Sequence, residues 1–161
     1  MQILVVSDTH RKDDNLKLVL SEECPLDMLI HLGDAEGSEH FIPDWVNPEC
    51  RMEMVLGNND FFSRLDRERE IDIAGHKAFI THGHYYGVSM GPEGLVDEAK
   101  SRGCDIAMYG HTHRPFLDVI DGVTVLNPGS LSYPRQEGRR PSYMIIHVDA
   151  DGKMDYQQKY L

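Results

Sequence analysis

Thiol chemistry has little to work with in this sequence. Its 161 residues include only three cysteines, Cys24, Cys50 and Cys104. They are odd in number and far apart, and no CxxC pair occurs. Neither a disulfide framework nor a thiolate zinc site is therefore expected, and a reduced, cytoplasmic setting is the simplest expectation. No apolar stretch approaches the roughly 18 residues that cross a bilayer, and no basic-then-apolar leader stands before the ILVV run at 3–6, so membrane insertion and secretion are not expected. Basic charge is short as well: 16 Lys and Arg against 27 Asp and Glu give a formal net charge of −11. Nucleic-acid polymers and anionic membranes both need a basic surface, so neither is an expected partner. A small phosphorylated substrate stays open, because a bound cation reverses the field locally. Repeats, low-complexity segments and long linkers are absent, and the length suits one domain, residues 1–161, around a single core.

What is present is a series of short apolar runs: ILVV (3–6), MLIHL (28–32), MEMVL (52–56), KAFIT (77–81), DIAMY (105–109), VTVL (123–126) and SYMIIHV (142–148). Their length and partly β-branched content predict strands. Helical spacing predicts a helix over 13–23, with Leu16, Val19 and Leu20 on one face. A second is predicted over 91–103, with Leu95, Val96 and Ala99 together and Gly103 as its stop. A further helical stretch is read at 38–46. Strands alternating with helices argue for an α/β layered fold. DG pairs at 121–122 and 151–152 predict hairpin turns in the last third.

The apolar runs end in polar clusters: SDTH (7–10), LGDAEG (32–37), LGNND (56–60), THGH (81–84) and YGHTH (109–113). Open α/β sheets bind ligands beyond the carboxyl ends of their strands, so five such ends can converge on one site. Asp, His and Asn without Cys form a donor set for manganese, iron, zinc, nickel or cobalt. Asp8 and His10 are two apart, as are His111 and His113, which lets both members of each pair reach one cavity. Asp8, His10, Asp34, Asn58, His82, His111 and His113 are seven candidate ligands, too many for one ordinary site and about right for two, with a shared carboxylate and metals roughly 3.5–4 Å apart. Two divalent cations per chain would make a positive point for a phosphate on an acidic protein.

The ordered set D-x-H, GD, GN-x-D, GH and GH-x-H, with NPGS at 127–130, resembles the calcineurin-like metallophosphoesterases, specifically their compact bacterial and archaeal phosphodiesterase branch. The resemblance runs from Ile3 to His147. It implies a four-layer αββα sandwich of two mixed sheets flanked by helices. It also implies a metal-dependent phosphodiesterase in which a metal-bridging hydroxide attacks a phosphodiester. Asp8, His10 and His113 match the ligands of one metal, manganese being the first choice. Asn58, His82 and His111 match those of the other, and Asp34 matches the bridging carboxylate. Asp34, Asn58, Asp60 and His10 form the implied catalytic group, with Asp60 orienting a neighbour. Asn59 departs from the pattern, since many relatives carry a histidine there that protonates the leaving group. An amide cannot do so, and losing such a group typically costs about 10²–10⁴-fold.

Asn59, His84 and Arg11 are read as substrate-contacting residues, and Arg135 as a further phosphate contact. Arg114 and Pro115 are read as shaping a turn, and NPGS as bracing the site. His31, His40, His76 and His147 belong to no matched cluster and read as ordinary hydrogen-bonded side chains, His31 inside a strand and His76 at a hairpin turn. Asp13–Asp14 and Glu22–Glu23 read as solvated helix ends, and the charge run RLDRERE (64–70) as an exposed segment. Two rival functions are carried along. One is a phosphomonoesterase, including a phosphoprotein phosphatase. The other is a non-catalytic scaffold, as in a retromer subunit of the same fold, which an exposed apolar patch would favour; Phe41, Ile42, Trp45 and Val46 form a candidate, although burial of that face in the core is the first expectation. The expected substrate is small and phosphorylated, with nucleotides among the options, and self-association stays open.

Overall fold

A computed structural model describes residues 1–161. The run at the start of the chain forms β1 (Gln2–Val6), and its four apolar residues are completely buried. Period-two alternation explains why all four must be apolar: Ile3 and Val5 face one apolar cluster while Leu4 and Val6 face another. β2 (Met28–His31) and β3 (Arg51–Met54) run parallel to β1. β9 (Ser142–Val148) and β10 (Met154–Tyr160) complete this sheet antiparallel, in the order β10-β9-β1-β2-β3.

The second sheet has the order β4-β5-β6-β8-β7. It contains β4 (Glu68–Ile73), β5 (His76–Thr81), β6 (Ile106–Met108), β7 (Pro115–Ile120) and β8 (Val123–Pro128). β5, β6 and β8 are parallel, and β4 and β7 flank them antiparallel. Ile3, Val5 and Met144 of the first sheet share one core cluster with Ile80, Met108 and Leu126 of the second, so the two sheets pack face to face. The outer face of the first sheet buries α1 (Asp14–Glu23) through Leu16, Val19 and Leu20. The outer face of the second buries α2 (Glu93–Ser101) through Leu95, Val96 and Ala99, with Gly103 at φ +68° just beyond its end. The layers are therefore helix, sheet, sheet, helix, as the resemblance implied.

Three expectations need correction. The 64–70 run is not simply exposed, because Glu68–Glu70 open β4, where Glu68 accepts from Tyr86 and Arg102. The 38–46 stretch is two short 3₁₀ turns, Ser38–His40 and Ile42–Trp45, rather than one helix. The helix ends are also not merely solvated. Glu23 accepts from the Tyr143 hydroxyl at 2.9 Å and Lys159 Nζ at 2.6 Å, and Asp13 accepts from Ser38 Oγ at 2.7 Å.

Candidate metal centre

β1, β2 and β3 of one sheet and β5, β6 and β8 of the other release their carboxyl ends on the same side of the molecule. Short backbone bonds tie the loops that follow. His10 N donates to Asp34 O at 2.8 Å, and Gly110 N to His82 O at 3.1 Å. Across the sheets, Ser130 Oγ donates to Asp8 O at 2.8 Å and Ser132 Oγ to Thr9 O at 2.7 Å, so the NPGS segment does brace the site. Asn127 adds two bonds, from Nδ2 to Gly110 O and to Thr112 Oγ1.

Asp8, His10, Arg11, Asp34, Glu36, His111 and His113 all have positive φ, between 46° and 67°. That left-handed region costs non-glycine residues energy and is held here by the surrounding bonds, a concentration of backbone strain typical of functional loops. Gly57 has no room for a side chain: a Cβ there would overlap Asp34 Oδ1.

Seven side chains meet in this space. His113 Nε2 is 3.1 Å from Asp8 Oδ1, His82 Nε2 is 3.4 Å from Asp34 Oδ2, and His10 Nε2 is 3.8 Å from both carboxylates. Asn58 Oδ1 lies 3.0 Å from both His82 Nε2 and His111 Nδ1. Donor atoms of Asp8, His10 and His113 form one cluster and those of Asp8, Asp34 and His82 another, each within 4.8 Å.

The outer ring nitrogens decide what these atoms are. His82 Nδ1 faces Leu32 O, His113 Nδ1 faces Tyr133 O, and His10 Nδ1 faces Glu36 Oε1, each at 2.7 Å. Those oxygens only accept, so each Nδ1 carries a proton, and each ring, when uncharged, turns an Nε2 lone pair inward. His10 Nε2 and His113 Nε2 then stand 3.3 Å apart, both as acceptors. Asp8 Oδ1 is buried among them without a hydrogen-bond donor. Lone pairs gathered against two buried carboxylates repel one another unless a cation sits between them, so the donor set fits divalent metal. The carbonyl- or carboxylate-backed histidine is also the usual metal-binding arrangement.

With no cation between them, the two carboxylates draw positive charge onto the histidines instead. Burial alone would push the Asp8 and Asp34 carboxyls up, but the neighbouring histidines, with the Asn59 donors at Asp34, hold both below the usual carboxylate range. Burial disfavours a charged His82, but the two carboxylates outweigh it and raise its pKa. Burial and the charges of His82 and His111 push His84 down to about 4.

The remaining expected residues fall into place around this group. Asn59 braces Asp34: its backbone N and its Nδ2 each donate to one carboxylate oxygen at 2.8 Å. Asp60 touches no donor atom of the group, only backbone. It accepts from the backbone N–H of Asp34, Glu36 and Gly57 at 2.6–2.7 Å, tying two loops together. His84 lies beside the centre, its ring 5.4 Å from His82. Arg11 is turned aside, donating from Nε to Glu36 O at 2.7 Å. His31 is buried, with Nε2 3.0 Å from Thr9 Oγ1, and His76 opens β5 with Nδ1 2.7 Å from Asp105. The sequence reading missed Glu36 and Tyr133, which back His10 and His113. Only its GDAEG run, with an acid two residues beyond Asp34, hinted at the first.

Comparison with known proteins gives the family. The sequence model of the calcineurin-like phosphoesterase superfamily domain matches residues 1–151. The probable metallophosphoesterase YsnB of Bacillus subtilis is 30% identical over 152 residues, covering 94% of this chain and 86% of YsnB. The phosphodiesterase MJ0936 of Methanocaldococcus jannaschii is 31% identical over 145 residues, covering 80% of this chain and 83% of that protein. Among solved structures, a novel archaeal phosphodiesterase superposes with a TM-score of 0.78 at 27% identity, both chains being fully covered. Zinc-complexed Vps29 from Entamoeba histolytica superposes with a TM-score of 0.75 at 20% identity, with 99% of each chain covered. At that identity the likeness concerns the fold alone.

Proposed function

This chain belongs to the calcineurin-like phosphoesterase superfamily, and from that membership we propose that it is a phosphodiesterase dependent on two divalent cations. Asp8, His10 and His113 would hold one cation, and Asn58, His82 and His111 the other, with Asp34 shared. Manganese, iron, zinc, nickel and cobalt all suit this N/O donor set, and manganese is the first to try. The observation that carries the reading is the set of three inward Nε2 lone pairs facing two buried carboxylates. Cations bound there would activate water near neutral pH and offset charge on the phosphoryl oxygens.

The chain's own groups prepare that chemistry. Glu36, Leu32 O and Tyr133 O fix three rings in the tautomer that presents a lone pair. Asn59 holds Asp34 ionised and oriented. Asp60 keeps the Gly57 and Asp34 loops in register. Asn59 cannot deliver a proton to a leaving group, which favours diesters whose leaving group departs unprotonated. That feature counts against a phosphomonoesterase or phosphoprotein phosphatase.

The test is metal content of protein purified without chelator, measured beside turnover of bis(p-nitrophenyl) phosphate and p-nitrophenyl phosphate with manganese added. About two metals per chain, diester turnover above monoester turnover, and loss of both in Asp34→Asn are expected. No bound metal and no turnover with any divalent ion would overturn the reading. The scaffold alternative draws support from the shared fold with Vps29 and from Phe61 and Phe62, which are 80% and 98% exposed. The face at 38–46 is mostly buried, as expected: Ile42 is inaccessible, Trp45 and Val46 pack against the outer cluster of the first sheet, and only Phe41 is exposed.

A further inference from the structure

The histidine wall of the centre opens into a cavity of about 750 Å³ whose opposite wall carries Arg114, Arg135 and Arg139. These three guanidinium groups are unlike most others in the chain. Arg51, Arg69 and Arg102 each hold carboxylates at 2.5–2.7 Å. Arg114, Arg135 and Arg139 form no ion pair and donate no side-chain hydrogen bond, although the chain carries 27 carboxylates. The wall is not a loose surface segment. Tyr133 O accepts from His113 Nδ1 at 2.7 Å, and Arg135 N donates to His113 O at 3.0 Å. The arginine segment is thus tied directly to a residue of the donor group. Lys12 adds a fourth cation nearby, its Nζ 4.1 Å from the centre of the Tyr133 ring. Glu36 is the one acid lining the cavity, and it is already engaged by His10 Nδ1.

A guanidinium presents a planar fork of donors matched to phosphate oxygens. Three of them, unpaired and lining a cavity roomy enough for a substrate with more than one phosphate, form a basic wall on an anionic protein. We propose that Arg114, Arg135 and Arg139 form a subsite for a second phosphate, so that the substrate is a phosphodiester carrying an additional phosphate group. A nucleotide diester with a terminal phosphate is the simplest member of that class. The inference rests on the phosphodiesterase reading for the reacting group, and on the arginine wall alone for the second anion.

The experiment uses protein purified without chelator and two matched probe pairs. In calorimetry, inorganic phosphate is compared with pyrophosphate. In kinetics, the p-nitrophenyl ester of thymidine 5′-phosphate is compared with the same ester bearing a 3′-phosphate. The variants are Arg135→Ala/Arg139→Ala and, as a charge-matched control elsewhere on the surface, Arg64→Ala/Lys153→Ala. The wild type is expected to favour the probe with two phosphates at least tenfold, in Kd and in kcat/KM, the kinetic gain appearing in KM. The arginine pair variant should lower both ratios at least fivefold, and the control should lower them less than twofold. Equal ratios in wild type and arginine variant would overturn the subsite, and an equal fall in the control would reduce it to long-range charge. If no diester is hydrolysed, the phosphodiesterase reading fails, and the calorimetric ratio still decides whether the wall binds a second phosphate.

Discussion

The floor and the rim of the centre are built on opposite rules. On the floor, Asp8, Asp34 and His82 are essentially inaccessible, and apart from the inward atoms, Asp8 Oδ1 among them, the polar groups have partners supplied by the fold. Both oxygens of Asp60 take backbone N–H groups, both oxygens of Asp34 take Asn59, and Asp8 Oδ2 takes Ser7 Oγ and His111 N. On the rim, Asn58 is exposed, His84 Nδ1 has no partner, and three arginines face open space. A floor whose donors are satisfied internally is preorganised, and its geometry is part of the folding free energy. A rim left unsatisfied contributes little to the fold and has its bonding capacity free for something arriving from outside.

The contrast is broken most severely by Asp34→Asn. It removes a shared charge from the floor without changing its shape, and turnover should fall by about 10³-fold or more, roughly 4 kcal/mol of barrier. Retained activity would show that the floor is not where the chemistry happens.

The next largest effect concerns stability. Burial holds the His31 pKa down to about 4, against 6.5 for an ordinary histidine. The native state then binds fewer protons than the unfolded chain between those values. Stability is full above about pH 6.5, falls as the pH drops from there towards 4, and is lowered no further by this group below 4. The shift corresponds to roughly 3 kcal/mol. Urea midpoints at pH 7.5 and 4.5 should differ more for the wild type than for His31→Gln, while contributions from the centre itself are common to both. Parallel losses would rule this out.

Asn59→Ala should have a smaller effect. It removes one of the two donors on Asp34 and spares the backbone one, which predicts a loss of about 10–100-fold in metal affinity or turnover. Metal titration followed by tryptophan fluorescence or calorimetry would measure it, and unchanged affinity would demote Asn59 to a rim residue. Smallest of all, Phe62→Ser on the rim should change the unfolding free energy from urea titration by less than about 0.5 kcal/mol, because the side chain is almost wholly exposed. A larger loss would mean that the rim takes part in folding after all.

The same division explains what could be read from the sequence. Asp8, Asp34, His82 and His111 stood out because each follows an apolar run by one to three residues, and strand ends are where sheets gather ligands. The β1 and β9 segments were legible for a related reason: both of their faces are buried, so the apolar run is unbroken. β4, β7 and β10 were not, because they lie at sheet edges and mix charged with apolar residues. The braces were hidden by distance along the chain. Glu36 reaches His10 across 26 positions, and Tyr133 backs His113 across 20. Nothing in a local pattern announces a carbonyl that selects a tautomer. Asn59 was visible as a departure from a family pattern, but its bond to Asp34 is a product of the folded loops.

The cross-sheet origin of the floor also sets a clock on its assembly. Asp8 comes from the first strand of one sheet and His113 from beyond β6 of the other, 105 positions later. At a synthesis rate of about 5–20 residues per second, Asp8 is added to the chain roughly 5–20 s before His113. During that interval the chain owns half a binding site and no way to close it. A growing polypeptide therefore has no complete donor set, and any cation capture would be a property of the finished molecule.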